Sequence, residues 1–241
     1  MGRDVVVTGG ATGIGYAVAA RFAQEGDSVL LTGRRPDRLQ AAVGRLGSTA
    51  RSAVCDATDP AALEALRTSL PASVDVMVNN AGGNTDFDRA EPADLSALAA
   101  SWRANLDANL ISAVLMTALV ADRLSAGGSV ISIGSIAADT GAGSYGAAKA
   151  ALASWNVGLA ADLGSRGITA NVVAPGYTAD TEYFRDRLTS TRRRDLIAAT
   201  QTGRAGRPDD VADAVFFLAS PAARQITAQV LAVNGGARST R

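Results

Sequence analysis

Residues 4–25 read DVVVTGGATGIGYAVAARFAQE. The valines at positions 5–7 are typical of a buried β-strand, and residues 16–25 have the apolar spacing of an amphipathic helix. Between them lies a turn with glycines at positions 9, 10, 13 and 15. A strand, a glycine-rich turn and a helix in direct succession predict the first half of a βαβ unit, and therefore a parallel sheet.

The rest of the chain repeats this alternation. Runs rich in Val, Ile and Leu recur between longer alanine-rich stretches, and several runs are apolar on both faces, as a doubly covered strand requires. With no linker and no fixed-period repeat, we predict one domain over residues 1–241. Its class is α/β, a Rossmann-type doubly wound fold with a seven-stranded parallel sheet flanked by helices on both faces. The predicted strands are 4–8, 28–32, 50–55, 74–79, 129–134, 168–174 and 229–233.

The charge balance limits the class of partner. The chain has 23 basic and 23 acidic side chains, so it lacks the net field that would attract nucleic acid or an anionic membrane. We therefore expect a small-molecule partner. The first ten residues run into a strand pattern without the segments of a secretory signal, and Cys55 is the only cysteine. Both observations predict a cytoplasmic protein.

Two counts limit the chemistry. The chain has no histidine, and Lys149 is its only lysine among 23 basic residues. Histidine-dependent nucleophile systems and histidine-ligated zinc are therefore excluded, and we predict no metal site. Tyrosine, lysine and carboxylates remain as proton carriers.

The glycine-rich turn predicts a site for a dinucleotide. Gly9, Gly13 and Gly15 would permit a tight turn, close approach to a pyrophosphate and close packing of helix on strand. The free N–H groups at the start of the helix, with Thr12 and Ile14 beside them, would face the phosphate charge. The alternative is an ordinary glycine turn.

The residues after the second strand bear on the choice of cofactor. An acid usually stands there when the ribose is unphosphorylated, but this chain has Gly33, followed by Arg34 and Arg35. Two guanidinium groups can hold a 2′-phosphate through paired hydrogen bonds. We therefore predict NADP(H) in preference to NAD(H), the alternative being that both arginines are solvated.

Two further loops are predicted to contact the cofactor. After the third strand, Asp56 and Ala57 would lie near the adenine, although Asp56 could equally cap the helix near Pro60. After the fourth strand, the small residues and amides of 79–82 would let the backbone pass close to the cofactor, although such turns are common in any loop. The contacts predicted from this second loop are Asn80, Ala81 and Gly82.

Tyr145 and Lys149 are four residues apart and would share one face of a helix. A lysine ammonium beside the phenol would lower the tyrosine pKa, and the hydroxyl could then exchange a proton with an alkoxide near neutral pH. Such a spacing also arises by chance on protein surfaces. Because arginine occupies every other basic position, the single lysine suggests a role that a planar guanidinium cannot fill.

Taken together, these motifs resemble the short-chain dehydrogenase/reductase family, most closely its 3-oxoacyl-[acyl-carrier-protein] reductase-like branch. The resemblance rests on five motifs in order along almost the whole chain. They are Thr8-Gly9-x-x-x-Gly13-x-Gly15, Asn79-Asn80-Ala81-Gly82, Ser135, Tyr145-x-x-x-Lys149 and Asn171-x-x-Ala174-Pro175-Gly176.

The resemblance implies roles for individual residues. Tyr145 would be the general acid/base, and Lys149 would hold the nicotinamide ribose. Ser135 would bind the substrate carbonyl, and Asn109 would anchor a proton-relay water. The resemblance also implies nicotinamide contacts from Pro175, Gly176 and Thr178, a pyrophosphate contact from Thr181, and a homotetramer. The implied reaction is reduction of a ketone or aldehyde. An alcohol or sugar dehydrogenase running in the opposite direction, and a non-catalytic dinucleotide-binding regulator, are the alternatives.

The sequence departs from the family pattern in places. The usual serine-to-tyrosine spacing of thirteen would select Ser132, whereas Ser135 is ten residues before Tyr145. We favour Ser135, because Ser132 lies inside the predicted strand. The closing motifs also differ, reading Thr227-Ala228-Gln229 and Asn234-Gly235-Gly236.

A substrate lid is expected around residues 177–203. Its apolar side chains would form either a wall of the substrate cleft or the core face of a helix, and its three consecutive arginines are predicted to be solvated. The apolar candidates are Tyr183, Phe184, Leu188, Leu196 and Ile197, and the arginines are Arg192, Arg193 and Arg194.

Overall fold

The computed structural model describes residues 2–239, apart from the side chain of Asp186. The ends of the predicted 1–241 domain, Met1 and residues 240–241, lie outside the described residues. The described chain forms a seven-stranded sheet in which every pairing is parallel, so the predicted fold class is confirmed. The strands are β1 Asp4–Thr8, β2 Ser28–Gly33, β3 Ala50–Val54, β4 Val74–Asn79, β5 Leu124–Ile133, β6 Thr169–Pro175 and β7 Val230–Val233.

The main difference from the predicted strands is at β5, which begins five residues before position 129. Gly127 takes a φ of +73° within β5, and the register between β4 and β5 shifts between Val74 and Val76. This is the geometry of a β-bulge, in which glycine removes the penalty on the left-handed conformation. A glycine pair that looks like a turn in sequence is therefore accommodated inside a strand.

Helices cover both faces of the sheet. Val5 and Val7 belong to one hydrophobic cluster and Val6 to the other, since successive side chains of a strand point to opposite faces. The first cluster includes side chains of α1, α2 and α9, and the second includes those of α3, α5 and α7. Within residues 2–239, no helix combines the length and hydropathy needed to cross a bilayer. The helices are α1 Gly13–Gln24, α2 Pro36–Leu46, α3 Pro60–Leu66, α4 Leu95–Leu106, α5 Ser112–Val120, α6 Ala137–Thr140, α7 Gly143–Gly164, α8 Ser190–Ala198 and α9 Pro208–Leu218.

The strand order places the site. The sheet runs β3-β2-β1-β4-β5-β6-β7, so the chain changes direction across the sheet between β1 and β4. In open α/β sheets, ligands bind beyond the carboxyl ends of the strands at such a switch point. We therefore expect the functional site at the loops that follow β1, β4, β5 and β6.

Candidate active site

The glycine-rich turn between β1 and α1 is tightly packed. Gly9 has a φ of +63°, and a Cβ at Gly15 would lie 2.3 Å from the carbonyl oxygen of Gly9 and 2.4 Å from Nδ2 of Asn80. Neither contact leaves room for a side chain, and the positive φ at Gly9 disfavours any other residue there. Both glycines are thus required by the path of the backbone.

The start of α1 offers free backbone donors. The helix begins at Gly13, and its N-cap residue Thr12 makes no side-chain hydrogen bond to the first turn. The N–H groups of the first turn, which includes Ile14, are therefore available to an anion. A Cβ at Gly13 would lie 3.6 Å from the side chain of Thr181, so the segment after β6 lies against this turn.

The loop after β4 is tied to the glycine-rich turn. Asn80 donates through Nδ2 to the carbonyl oxygens of Thr8 at 2.9 Å and Gly9 at 3.0 Å. The Thr8 hydroxyl accepts the backbone N–H groups of Asn80 at 3.0 Å and Ala81 at 2.9 Å. The side chain of Asn80 therefore holds the two loops together, and only the adjoining backbone is left to contact a ligand.

Arg34 and Arg35 differ in their surroundings. Arg35 donates to the carboxylate of Glu182 at 2.8 Å and to the hydroxyl of Thr12 at 3.4 Å, and Arg38 lies 3.7 Å from Glu182. Arg34 is exposed at the end of β2. Of the pair, Arg34 is thus the guanidinium that no described carboxylate holds.

Asp56 does not cap α3. Asp59 does so, accepting the backbone N–H of Ala61, while Asp56 accepts from the N–H of Thr58 at 3.0 Å and its hydroxyl at 2.8 Å. Burial acts to raise the pKa of Asp56, but the Thr58 hydrogen bonds and the charge of Arg34 bring it below its usual value. Asp56 therefore remains a carboxylate beside Arg34, next to the buried Ala57.

Tyr145 and Lys149 lie one turn apart on α7, and both are 5% exposed. The Lys149 ammonium donates to the carbonyl oxygen of Ile133, the last residue of β5, at 2.7 Å. Its nitrogen lies 5.9 Å from the centre of the Tyr145 ring. The pair is therefore buried against the carboxyl end of β5 and is not a surface pair.

The pKa of Tyr145 differs from the sequence-based expectation. Burial raises it above the usual value, and the hydroxyls of Ser135 and Tyr183, which meet the phenol, lower it only in part. Burial also lowers the pKa of Lys149 to about 8. The expected lowering by the ammonium is not found, because burial disfavours the charged form of both groups.

Ser135 and Ser132 occupy different environments. Ser135 follows the end of β5, where its hydroxyl acts to lower the pKa of Tyr145 and accepts the backbone N–H of Ala137 at 3.1 Å. Ser132 is fully buried inside β5, and its hydroxyl has no partner among the described residues. Ser135 is therefore the serine that the fold brings to Tyr145.

Asn109 lies in a single π-helical turn, Asp107–Ile111, between α4 and α5. Its Oδ1 accepts the N–H of Gly83 at 2.9 Å, and its Nδ2 donates to the carbonyl oxygens of Gly83 at 2.9 Å and Asn105 at 3.0 Å. A Cβ at Gly82 would lie 2.6 Å from Oδ1 of Asn109. In this structure Asn109 thus fixes the loop after β4. Such π-turns often mark functional sites.

The segment after β6 closes the other side of the site. The Gly176 N–H donates to Val233 at 3.2 Å, and a Cβ at Gly176 would lie 2.8 Å from that of Asn234. Thr178 and Thr181 are linked by a hydrogen bond of 3.2 Å from the Thr181 hydroxyl to the Thr178 carbonyl. The chain from Pro175, at the end of β6, to Thr181 therefore forms a continuous strip that leads from the sheet to the glycine-rich turn.

A cleft of about 720 Å³ lies between α1, residues 180–182 and the start of α9. Its walls include Thr12, Gly13 and Thr181, three of the residues predicted to surround the pyrophosphate. These three predicted cofactor residues therefore border open space.

Sequence reasoning missed a polar network beside Tyr145. Asp86, in the short turn Thr85–Asp88, accepts from the hydroxyls of Ser144 at 3.0 Å and Ser101 at 2.6 Å. Asn105 donates to Ser144 at 2.8 Å. These bonds join the turn to α4 and to the residue preceding Tyr145, and no sequence motif marks them.

The sequence leaves two arrangements open for the apolar residues of the lid, a wall of the substrate cleft or the core face of a helix. Tyr183 and Phe184 precede α8 and pack among other aromatic rings near Tyr145, so they are not the core face of a helix. Leu196 and Ile197 lie on α8, which has no buried residue. Arg192, Arg193 and Arg194 are exposed, as the sequence predicted.

A parallel sheet in this order, with a glycine-rich turn after its first strand and a Tyr-Lys pair beside β5, defines a dinucleotide-fold oxidoreductase. The family described as enoyl-(acyl carrier protein) reductase matches residues 9–238. The chain is 36% identical to the 3-oxoacyl-[acyl-carrier-protein] reductase FabG of Escherichia coli K12, an alignment that covers 98% of this chain and 97% of FabG. The chain belongs to the short-chain dehydrogenase/reductase family and is an enzyme of the oxidoreductase class.

Two solved structures agree with this assignment. A blue fluorescent protein from a metagenomic library, solved in complex with NADPH, superposes with a TM-score of 0.87 at 33% identity, covering 99% of this chain and 98% of that one. A short-chain dehydrogenase of Burkholderia cenocepacia J2315 in complex with NADP gives a TM-score of 0.85 at 33% identity, covering 98% and 97%.

Proposed function

We propose that this enzyme reduces a ketone or aldehyde to the alcohol with NADPH, with Tyr145 as the proton donor. The observation that carries the proposal is the burial of Tyr145 and Lys149, one turn apart on α7, against the carboxyl end of β5, which Ser135 follows. A reacting carbonyl needs a proton on its oxygen as it gains a hydride. The raised pKa of Tyr145 keeps its hydroxyl protonated and able to donate.

Ser135, Tyr145 and Lys149 would each have a separate role in the reaction. Ser135 would donate a hydrogen bond to the carbonyl oxygen and hold it against the Tyr145 hydroxyl. Tyr145 would release its proton to that oxygen, and the nearby Lys149 ammonium would favour the tyrosinate that results. NADPH, when bound, supplies the hydride. Tyr145 would recover its proton before the next turnover, a step to which the buried Lys149, with its pKa near 8, is suited.

The cofactor site fits this proposal. The uncapped N-terminus of α1 suits a pyrophosphate, and the small residues of the turn leave space for one. Arg34 suits a 2′-phosphate, which is the basis for preferring NADP(H) to NAD(H). We assign the remaining contacts to Asp56 and Ala57 at the adenine, and to the strip from Pro175 to Thr181 at the nicotinamide and pyrophosphate.

We also propose that the enzyme is a homotetramer, because it presents two separate exposed apolar surfaces. One is formed by Leu95, Leu98, Trp102, Ile111 and Val157, and the other by Phe217, Val230 and Leu231 on α9 and the edge strand β7. Two different two-fold contacts per chain close a tetramer when their axes are perpendicular. Light scattering on the Trp102→Glu variant should show a smaller species, and an unchanged mass would contradict the use of that surface.

The reaction is tested by following NADPH in both directions. We expect oxidation of NADPH when a ketone or aldehyde is added, and slower reduction of NADP⁺ with the corresponding alcohols near neutral pH. Faster alcohol oxidation at physiological cofactor ratios would support the dehydrogenase alternative. Tight NADPH binding with no turnover across aromatic, alkyl, thioester and sugar carbonyls would support the non-catalytic regulator.

A further inference from the structure

The aromatic residues of this chain are concentrated at the active site. The sequence has five Phe, four Tyr and two Trp, and five of these eleven belong to one group. We call this group the aromatic cluster; it consists of Phe87, Tyr145, Tyr177, Tyr183 and Phe184. In a chain with so few aromatic residues, this concentration calls for a reason beyond general packing.

The cluster is assembled from separate segments. The rings of Tyr145 and Tyr183 are 5.7 Å apart, those of Phe87 and Tyr183 are 5.6 Å apart, and those of Tyr183 and Phe184 are 4.9 Å apart. The last two pairs are edge-to-face, with interplanar angles of 76° and 88°. Tyr183 therefore lies at the centre, in contact with both Tyr145 and the lid.

The cluster is not fully buried. Phe87, Tyr177, Tyr183 and Phe184 are each half-buried, whereas Tyr145 is almost completely covered. Ring surface therefore remains available around a buried hydroxyl.

Several charged side chains next to the cluster already have partners. Arg185 donates to Asp88 at 2.7 Å, bridging the lid and the turn that carries Phe87. Asp86 accepts from Ser144 and Ser101, and Glu182 faces Arg35. A charged substrate would have to compete with these pairs, whereas an uncharged ring would leave them intact.

We propose that the substrate is an uncharged aromatic ketone whose ring packs against Phe87, Tyr183 and Phe184 while its carbonyl faces Tyr145. This inference rests on the proposed carbonyl reduction. Aromatic rings gain edge-to-face and offset contacts with such a cluster beyond simple area burial. A sugar would leave hydroxyls unpaired against ring faces, and a flexible acyl chain would lose more rotational freedom.

The test uses two ketones with the same carbon skeleton, acetophenone and cyclohexyl methyl ketone. Conjugation makes acetophenone the less electrophilic of the two, so any preference for it reflects the site. We expect kcat/KM for acetophenone to exceed that for cyclohexyl methyl ketone at least about fivefold, which corresponds to one aromatic contact. A ratio of one or below in the wild-type enzyme would overturn the proposal.

Variants show whether the cluster is responsible. Phe87→Leu and Tyr183→Leu should reduce the ratio towards one, mainly by lowering kcat/KM for acetophenone. Phe217→Leu makes the same exchange at a phenylalanine on α9, which belongs to the second exposed apolar surface and not to the cluster, and should keep the wild-type ratio. Equal losses for both ketones in the cluster variants would indicate a role in lid packing alone and would contradict the proposal.

A binding measurement separates this inference from the proposed function. Calorimetry in the presence of NADP⁺, which has no hydride to transfer to a ketone, can compare acetophenone with cyclohexyl methyl ketone without any turnover. We expect the aromatic ketone to bind at least about fivefold more tightly, and Tyr183→Leu to remove the difference. If no carbonyl is reduced but this preference remains, the reaction is wrong and the aromatic site stands; equal binding overturns the aromatic site.

Discussion

The ammonium nitrogen of Lys149 lies 5.9 Å from the centre of the Tyr145 ring and is anchored to the carbonyl of Ile133 by a 2.7 Å hydrogen bond. The single lysine of the chain is thus held by β5 on one side and faces the proposed proton donor on the other. Its burial has a measurable consequence, because a buried cation costs free energy that depends on pH.

We expect Lys149→Met to alter the pH dependence of stability. Burial lowers the pKa of folded Lys149 to about 8, whereas an unfolded lysine holds its proton to about 10.4. Between these values the unfolded chain binds more protons, so wild-type stability relative to the variant should rise with pH, by up to about 3 kcal/mol. Below pH 8 this relative gain should be absent.

Urea unfolding of both proteins between pH 7 and 10.5 measures this difference. Burial also raises the pKa values of Tyr145 and Cys55, which lowers stability at high pH, but both groups are present in both proteins. Their effects therefore largely cancel in the comparison. A difference that stays constant across the range would show that folded Lys149 titrates normally.

Arg34→Ala should weaken NADPH binding without affecting NADH. Charge-assisted bidentate hydrogen bonds contribute about 1.5–3 kcal/mol, so we expect the Kd for NADPH to rise by roughly 10- to 100-fold. Fluorescence titration with both cofactors measures it, and the exposed Arg193→Ala on α8 is the control. If NADH binding fell equally, Arg34 would not be reading the 2′-phosphate.

Glu182→Gln should strengthen NADPH binding. The Glu182 carboxylate holds Arg35 at 2.8 Å, and both side chains are about half exposed, at 50% and 55%. An exposed ion pair is worth up to about 1 kcal/mol, so releasing Arg35 should lower the Kd by at most about fivefold, and less at high salt. Glu91→Gln, also exposed, should have no effect. Weaker NADPH binding in Glu182→Gln would mean that the pair holds the lid in a form that the cofactor requires.

Gly15→Ala and Gly44→Ala should change stability in opposite directions. A Cβ at Gly15 would meet Gly9 and the Asn80 amide, whereas a Cβ at Gly44, in α2, meets nothing within 4 Å. We expect Gly15→Ala to lower the free energy of unfolding by about 1–3 kcal/mol and to impair NADPH binding. Gly44→Ala should raise it by about 0.5–1 kcal/mol. Chemical denaturation measures both, and a stable, cofactor-binding Gly15→Ala would contradict the close packing of the turn.

The sheet could be predicted because its signals are local. Each strand is a short apolar run bounded by turn residues, and β1 and β4 have the predicted limits. The early start of β5 could not be predicted, because Gly127 has the appearance of a turn and its place in a bulge depends on pairing with β4. Sequence patterns identify a strand more readily than they identify an irregularity imposed by its neighbour.

The site was predictable for a related reason, since most of the candidate cofactor residues follow a strand closely and Tyr145 and Lys149 have helical spacing. The aromatic cluster and the Arg35–Glu182 pair were not, because each joins segments that are distant in sequence and carry no motif. Tyr183 was recognised as apolar, but its contact with Phe87 and Tyr145 depends on how the lid folds back over α7. The pKa of Tyr145 also required the structure, because the sequence does not show the burial that raises it.

The central claim is that the Tyr145 hydroxyl supplies the proton in carbonyl reduction. Tyr145→Phe removes that hydroxyl and keeps the ring that packs against Tyr183. General acid catalysis contributes about 10²–10⁴-fold, so kcat for any ketone that the wild-type enzyme reduces should fall by at least about 100-fold. The Kd for NADPH, measured on the same preparation, should change by less than about twofold, since the proposed cofactor contacts remain. Turnover near the wild-type rate in this variant would contradict the mechanism.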